Sequence, residues 1–189
     1  MTGAATELRV ALGDGYLLRS VTPDDAPALA AAYLRNRAHL APWEPVRGDG
    51  FFAVDEQARR LHSRVASDAR GESITAVVVD GADAVVASVN VNDIVRAVFG
   101  NGHLGYWTDG EHTGRGLMTR AVAAVCDHAR AEGLHRLQAA TLLHNAGSQQ
   151  VLRRNGFSAI GVAPDYLFIA GAWQDHVLFQ RILSDADPV

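Results

Sequence analysis

Apolar and polar positions change period several times along the chain, and each change predicts an element. Tyr16-Leu17-Leu18-Arg19-Ser20-Val21, after the turn Gly13-Asp14-Gly15, predicts a first strand. Thr22-Pro23-Asp24-Asp25 has the grammar of a helix start: a hydroxyl cap, proline at the first position and acids in the first turn. That helix is expected to run to about Asn36. A loop holding Pro42-Trp43-Glu44-Pro45 and Gly48-Asp49-Gly50 follows, then a second helix from about Asp55 to Ala69, closed by Gly71.

Ser73–Val79 and Ala84–Val95 are rich in β-branched residues and flank Asp80-Gly81-Ala82-Asp83, a hairpin pattern. His103–Thr108 predicts another strand. From Gly116 to about Ala131 the positions Leu117, Ala121, Val125, His128 and Ala129 recur at helical spacing, and Gly133 suits the stop. Leu137–Leu142 reads as a strand, Ser148–Arg154 as a short helix ended by Asn155-Gly156, and Phe157–Val162 as a strand. Tyr166 to Leu183 reads as a hairpin turning at Gly171. The expected order is β-α-α-β-β-β-α-β-α-β-β, a single α+β domain over residues 1–189 with no repeat or linker.

Composition narrows the chemistry. The 189 residues include 21 acidic and 17 basic side chains, a net charge of -4, and every basic residue is Arg. Without Lys there is no Schiff-base chemistry, no pyridoxal phosphate held by lysine and no Walker A loop. Mild acidity argues against direct nucleic-acid binding. The single Cys126 allows neither an internal disulfide nor a multi-cysteine zinc site, and no His spacing suggests a ligand pair, so no metal is expected. Met1-Thr2-Gly3-Ala4-Ala5-Thr6-Glu7 lacks the regions of a signal peptide, and no apolar run approaches the ~20 residues of a membrane span. The expectation is a soluble, cytoplasmic protein with no membrane partner, working as a monomer or homodimer.

The densest chemistry lies in Gly105-Tyr106-Trp107-Thr108-Asp109-Gly110-Glu111-His112-Thr113-Gly114-Arg115-Gly116-Leu117-Met118, where a strand ends, a glycine loop follows and a long helix begins. Unpaired N–H groups and the dipole at such a helix start favour an anion, and glycines let a phosphate approach the backbone. Arg115 adds a charge-assisted contact. The same residues also make an ordinary glycine-assisted turn onto a helix.

Further along come Leu134-His135-Arg136-Leu137, His144-Asn145-Ala146-Gly147-Ser148, Leu152-Arg153-Arg154-Asn155-Gly156-Phe157, and the stretch Asp165-Tyr166-Leu167-Phe168-Ile169-Ala170-Gly171-Ala172-Trp173-Gln174-Asp175-His176. Taken together these segments resemble the GNAT superfamily of acyl-CoA-dependent N-acetyltransferases, and within it the ribosomal-protein-alanine N-acetyltransferase branch. The resemblance runs from about Tyr16 to Leu183 and is densest from Val95 onward.

The resemblance implies a GNAT-like domain with a central mixed, mostly antiparallel sheet flanked by helices. It also implies acetyl-CoA as cosubstrate. The family's pyrophosphate signature, Gln/Arg-x-x-Gly-x-Gly/Ala, falls on Thr113-Gly114-Arg115-Gly116-Leu117-Met118, with Thr113 and Met118 departing from it, and Thr119 follows. The strand Tyr106-Trp107-Thr108 is implied to pair with the pantetheine amides. Asn145 is implied to hold the pantetheine arm, and the Ser148 hydroxyl to stabilise or protonate the departing thiolate. Many relatives place a Tyr seven residues after that Asn, where this chain has Leu152. Ser148 also reads as a helix cap without chemistry.

A neutral amine is needed to attack a thioester, so its proton must go somewhere. Some relatives carry a Glu ten residues after the Phe of the Asn-Gly-Phe signature; here that position is Leu167. Glu44, between Trp43 and Pro45 in the segment that covers the acceptor site in relatives, is the first candidate base, though it also reads as a solvated loop acid. Asp165 and Tyr166 come next. His103 lies near the wrong end, and Glu111 near the phosphate loop. His62 and His128 read as surface or core residues, and His144 and His176 as hydrogen-bonding groups.

Three functions remain open. The first is transfer of acetyl to the N-terminal α-amine of a protein such as a ribosomal protein, by direct attack on the thioester. The second is the same transfer to a small amine, such as an antibiotic or polyamine. The third is a non-catalytic acyl-CoA-binding module, suggested by the missing Glu at 167.

Overall fold

A computed structural model describes residues 7–185. Met1 to Thr6, part of the stretch read for a signal peptide, lie outside the described residues, as do the last four. The chain forms strands β1 (Arg9–Gly13) and β2 (Tyr16–Ser20), helices α1 (Ala26–Arg35), α2 (Arg37–Leu40) and α3 (Val54–Ala69), then strands β3 (Ile74–Val79), β4 (Val85–Val95) and β5 (Asn101–Thr108). Helix α4 (Leu117–Ala131), strand β6 (Arg136–Leu142), helix α5 (Ala146–Arg154) and strands β7 (Ser158–Ile169) and β8 (Ala172–Ile182) complete it.

All eight strands join one sheet in the order β1-β2-β3-β4-β5-β6-β8-β7. Every neighbouring pair is antiparallel except β5 with β6. The expected mixed, mostly antiparallel α+β sheet is therefore present. Both faces of its middle are covered, which is why every residue of β3 is buried and its sequence is apolar except for Thr75. On one face Leu117, Ala121, Val122, Val125 and Ala129 of α4 pack over Leu18, Val78, Val89, Leu104 and Leu137. On the other, Leu29 and Ala32 of α1 and Leu61 of α3 pack over Val77, Val79, Val85 and Trp107. Burying a leucine such as Leu61 is worth about 1.5–3 kcal/mol.

Thr22 starts its helix as expected, through a short 3-10 turn Pro23–Asp25, with reciprocal capping between Thr22 and Asp25. Asp25 also receives both Arg19 nitrogens, at 2.6 and 2.8 Å. Three elements differ from the sequence expectation. Helix α2, Arg37–Leu40, takes up the start of the expected loop. Strand β1 precedes Tyr16; within it only Leu12 is buried, so an edge strand with one inward side chain gives no two-residue period. The strand expected at Phe157–Val162 and the first arm of the terminal hairpin are one strand, β7. Its pairing shifts between Ala163 and Leu167, where Pro164 has no N–H to give and Asp165 sits at φ 47°. That bulge reads as a break in sequence.

One irregularity of the sheet shapes everything that follows. Strands β5 and β6 pair only over Asn101–His103 with Arg136–Gln138. Beyond that they diverge, and the facing edges 104–108 and 139–142 have no strand partner. A wedge opens through the sheet.

Candidate functional site

One lip of the wedge is β5 and the loop after it. Asp109, with its side chain 2% exposed, anchors that loop. Its carboxylate accepts from Arg35 Nε at 2.6 Å, Asn36 Nδ2 at 2.8 Å and the Glu111 N–H at 2.9 Å. Asn36 Oδ1 in turn accepts from the Gly110 N–H at 3.0 Å. Burial alone would push the Asp109 carboxyl up, but these donors outweigh it and hold it below the usual range. The Thr113 hydroxyl donates to the Gly110 carbonyl, so that side chain shapes the loop.

Gly114 and Gly116 have φ of 74° and 69°, a left-handed backbone that favours glycine, and Gly116 caps α4. Leu117 and Met118 turn their side chains into the core. Among the described residues none accepts a hydrogen bond from the backbone N–H groups of Gly114 to Thr119. A Cβ at Gly114 would meet nothing within 4 Å. This row of free donors at a helix start, reached over a bare backbone, suits a pyrophosphate.

The second lip is β6 and α5. Asn145 caps α5, its Oδ1 accepting from the Ser148 N–H at 3.0 Å. The cap is therefore Asn145, and the Ser148 hydroxyl is left for another partner. That partner is Tyr106, whose hydroxyl crosses the wedge to lie 2.9 Å from Ser148 Oγ and 3.0 Å from the Ser148 carbonyl. Burial raises the Tyr106 phenol pKa strongly, against the pull of the Ser148 hydrogen bond. Nearby on β6, Thr141 Oγ1 is buried without a hydrogen-bond partner. Leu152, where many relatives were expected to carry Tyr, is fully buried.

The other face of the wedge carries different chemistry. Side chains alternate along β5, so Trp107 faces α1 and α3 while Tyr106 faces α4 and α5. The Trp107 indole donates to Tyr33 Oη at 3.1 Å. Burial raises the Tyr33 phenol pKa, and nearby Glu44 raises it further. Its own carboxyl is pushed up by burial, although Arg47 and Arg60 pull it down. The loop is pinned on both sides: the Trp43 ring lies 5.5 Å from His144, and the Glu44 carbonyl accepts from the Ala170 N–H at 3.0 Å.

Asp165 and Tyr166 sit on β7, separated from the wedge by β8. The Asp165 N–H is held by Asp175 Oδ1 at 3.0 Å, and the half-exposed Tyr166 ring packs 5.7 Å from His176. His103 lies where β5 and β6 still pair, the closed end of the wedge. Burial lowers the His128 pKa and pushes the Cys126 thiol up to about 11, leaving that thiol inert. Among the described residues no group of three or more His, Cys, Asp or Glu is placed to hold a metal ion.

The structure thus brings together the 114–119 donors, the β5 edge, Asn145 and Ser148, with Glu44 at the opposite face. The sequence reading missed the Tyr106 side chain as Ser148's partner, the Asp109 anchor and Thr141. The alternation in Leu104-Gly105-Tyr106-Trp107 carried the signal for Tyr106, since a strand sends neighbours to opposite faces.

A profile of the acetyltransferase (GNAT) domain matches residues 16–158. The ribosomal protein uS5-alanine N-acetyltransferase of Escherichia coli strain K12 is 34% identical over 177 residues, covering 93% of this chain and 91% of its own. The ribosomal-protein-S5-alanine acetyltransferase of Vibrio fischeri superposes with a TM-score of 0.91 at 37% identity, over 95% of this chain and 99% of that one. RimJ of Mycobacterium smegmatis, solved in complex with CoA-disulfide, gives a TM-score of 0.84 at 30% identity, over 96% of this chain and 88% of that one.

Proposed function

The chain belongs to the acetyltransferase (GNAT) family, and from that premise we propose that it acetylates the N-terminal α-amine of a protein, a ribosomal protein first of all. The observation that carries the reading is the wedge itself, with free N–H donors on one lip and Ser148 on the other. When bound, acetyl-CoA supplies a thioester carbonyl carbon open to attack. Backbone donors from Gly114 to Thr119, with Arg115 beside them, hold the pyrophosphate. The unpaired edge at Tyr106–Thr108 takes the pantetheine amides as an added strand, and the Nδ2 amide of Asn145, whose Oδ1 already accepts from the Ser148 N–H, donates to the same arm.

The amine comes from the α1–α3 face, where Glu44 lies, and meets the thioester through the gap in the sheet. Glu44 accepts the amine's proton, directly or through water, and its raised pKa makes it a better base. An α-amine has an unperturbed pKa of about 7.7–8.0, so an appreciable fraction is already neutral near pH 7, and holding the amine in line does much of the work. Asp165 and Tyr166 stand on β7, beyond both β6 and β8, and are the second choice as base. Among the described residues the Ser148 hydroxyl pairs with Tyr106 and not with a His, consistent with direct attack without an acyl-enzyme.

Residues 16–183 act as one transferase domain in this reading, and all the groups named belong to one chain, so a monomer or a homodimer serves equally. Among the described residues no helix is long and apolar enough to cross a membrane; in this reading the acceptor is met in the cytoplasm, where ribosomal proteins are made. The test is CoA release from acetyl-CoA with a panel of N-terminal peptides, polyamines and aminoglycosides. Turnover led by peptides with a free α-amine supports the reading; turnover led by the small amines replaces the acceptor; CoA binding without turnover reduces the chain to a binding module.

A further inference from the structure

We propose that Tyr106 is the positioning residue for Ser148, and that the pair stabilises the departing sulfur by hydrogen bonding instead of protonating it. The inference rests on the reading of the wedge as an acetyltransferase site. It begins from the fact that the two hydroxyls come from different elements, β5 and α5, and meet across the gap at 2.9 Å.

The Ser148 hydroxyl has no capping duty, because Asn145 already holds the Ser148 N–H. Among the described residues its one partner is Tyr106, which also donates to the Ser148 carbonyl at 3.0 Å. Burial keeps the phenol protonated, so Tyr106 remains an O–H donor across the working pH range. The phenol has one proton and two acceptors in reach, the Ser148 carbonyl and Ser148 Oγ; when it turns to Oγ, the serine proton is directed away from Tyr106, into the wedge. With Phe at 106 the serine rotor would lose this constraint.

Proton affinities decide what the directed proton does. A thiol has a pKa of about 8.5, while an alcohol lies near that of water, about 15.7. Moving the serine proton fully to a thiolate would therefore be uphill by roughly seven powers of ten. Tyr106 cannot resupply it either, since its phenol is a weaker acid than an exposed tyrosine. In the balanced step the amine nitrogen bonds to the carbonyl carbon, the C–S bond breaks and its electron pair leaves on sulfur. The amine proton goes to Glu44 or water, and solvent protonates the thiolate afterwards. Ser148 keeps its proton throughout and donates a hydrogen bond to the sulfur, a role parallel to that of oxyanion-hole donors.

The test titrates the thiol of CoA bound to the full-length protein, read by the ultraviolet absorbance of the thiolate. The parent should hold bound CoA at a lower thiol pKa than free CoA. Tyr106→Phe and Ser148→Ala should each raise it by about half a unit to one unit, the worth of one hydrogen bond. The double variant should match the worse single variant, because both changes disable one device. Steady-state kinetics should show Tyr106→Phe lowering kcat about tenfold with the acetyl-CoA KM within about twofold. An unchanged thiol titration in Tyr106→Phe, or additive effects in the double variant, overturns the proposal. Failure of the parent to bind CoA or turn over would instead overturn the acetyltransferase reading, and is seen separately in the same experiment. Ser148→Ala leaves the Tyr106 ring in place, so the titration stands even if Tyr106→Phe folds poorly.

Discussion

Replacing Asp109 by Asn removes a buried charge but keeps the side chain's shape. In the parent, one carboxylate oxygen accepts from Arg35 and Asn36 at 2.6 and 2.8 Å, and the other from the Glu111 N–H at 2.9 Å. An amide has one oxygen, so its NH2 must face at least one of these donors. Keeping the oxygen toward α1 strands the Glu111 N–H, a loss of about 1.5–3 kcal/mol for a hydrogen bond to a charged group. The Arg35 pair weakens as well, but its side chain is 41% exposed and rehydrates, so that part is worth about 0–1 kcal/mol. The sum is about 2–4 kcal/mol. For a chain of this size each kcal/mol moves Tm by about 2–4 °C, so calorimetry should find Asp109→Asn lower by roughly 5–15 °C. The same network tethers the loop that carries Gly114 and Gly116. Titration calorimetry should therefore show a severalfold higher CoA Kd. The kcat at saturating acetyl-CoA should change less than about twofold, because Ser148 lies outside this network. A Tm within about 2 °C of the parent, or an unchanged Kd, would refute the reasoning.

At Gly116 the left-handed backbone costs about 1–2 kcal/mol for Ala and more for a β-branched residue, so Gly116→Ala should melt about 2–8 °C lower and Gly116→Val further still. A folded Gly116→Val protein with unchanged CoA affinity would remove the pyrophosphate from this loop. Glu44→Gln should lower kcat/KM more than tenfold with an N-terminal peptide and alter the ascending limb of its pH profile; a shared limb and a smaller difference would pass the base role to Asp165 or Tyr166. Asp25 and Asp109 both have folded-state pKa values below normal: burial raises each, and bonds from Arg19 to Asp25 and from Asn36 to Asp109 lead the larger opposing effect. Their stabilisation is complete above the unfolded value of about 3.9 and is lost as pH falls through the lower folded values. Thermal melts should therefore drop steeply below about pH 4, and less steeply in Asp25→Asn; equal slopes would contradict this.

Much of the fold was legible because local chemistry and tertiary role agreed. Thr22-Pro23 announces a helix and Gly116 starts one, and the buried face of α4 repeats every three to four residues. Strand β1 was not legible because only Leu12 of its five residues is buried, and β7 was split by Pro164 at its bulge. At the site, the glycine loop could be read because its backbone conformation restricts the residue type. The Tyr106–Ser148 contact spans 42 positions and depends on β5 and β6 diverging, which no local period records. Asp109 was not singled out in the sequence for the same reason: its partners, Arg35 and Asn36, lie over 70 positions away.

The most direct measurement of the account incubates the protein with acetyl-CoA and an alanine-initiated ribosomal-protein peptide that also contains an internal lysine. A matched peptide with a blocked N-terminus runs beside it, and tandem mass spectrometry locates the acetyl group. The account predicts acetylation at the α-amine of the free peptide and none on the blocked one. Acetyl on the lysine side chain of the blocked peptide at a comparable rate, or no acetyl on either peptide while CoA binds, would contradict it.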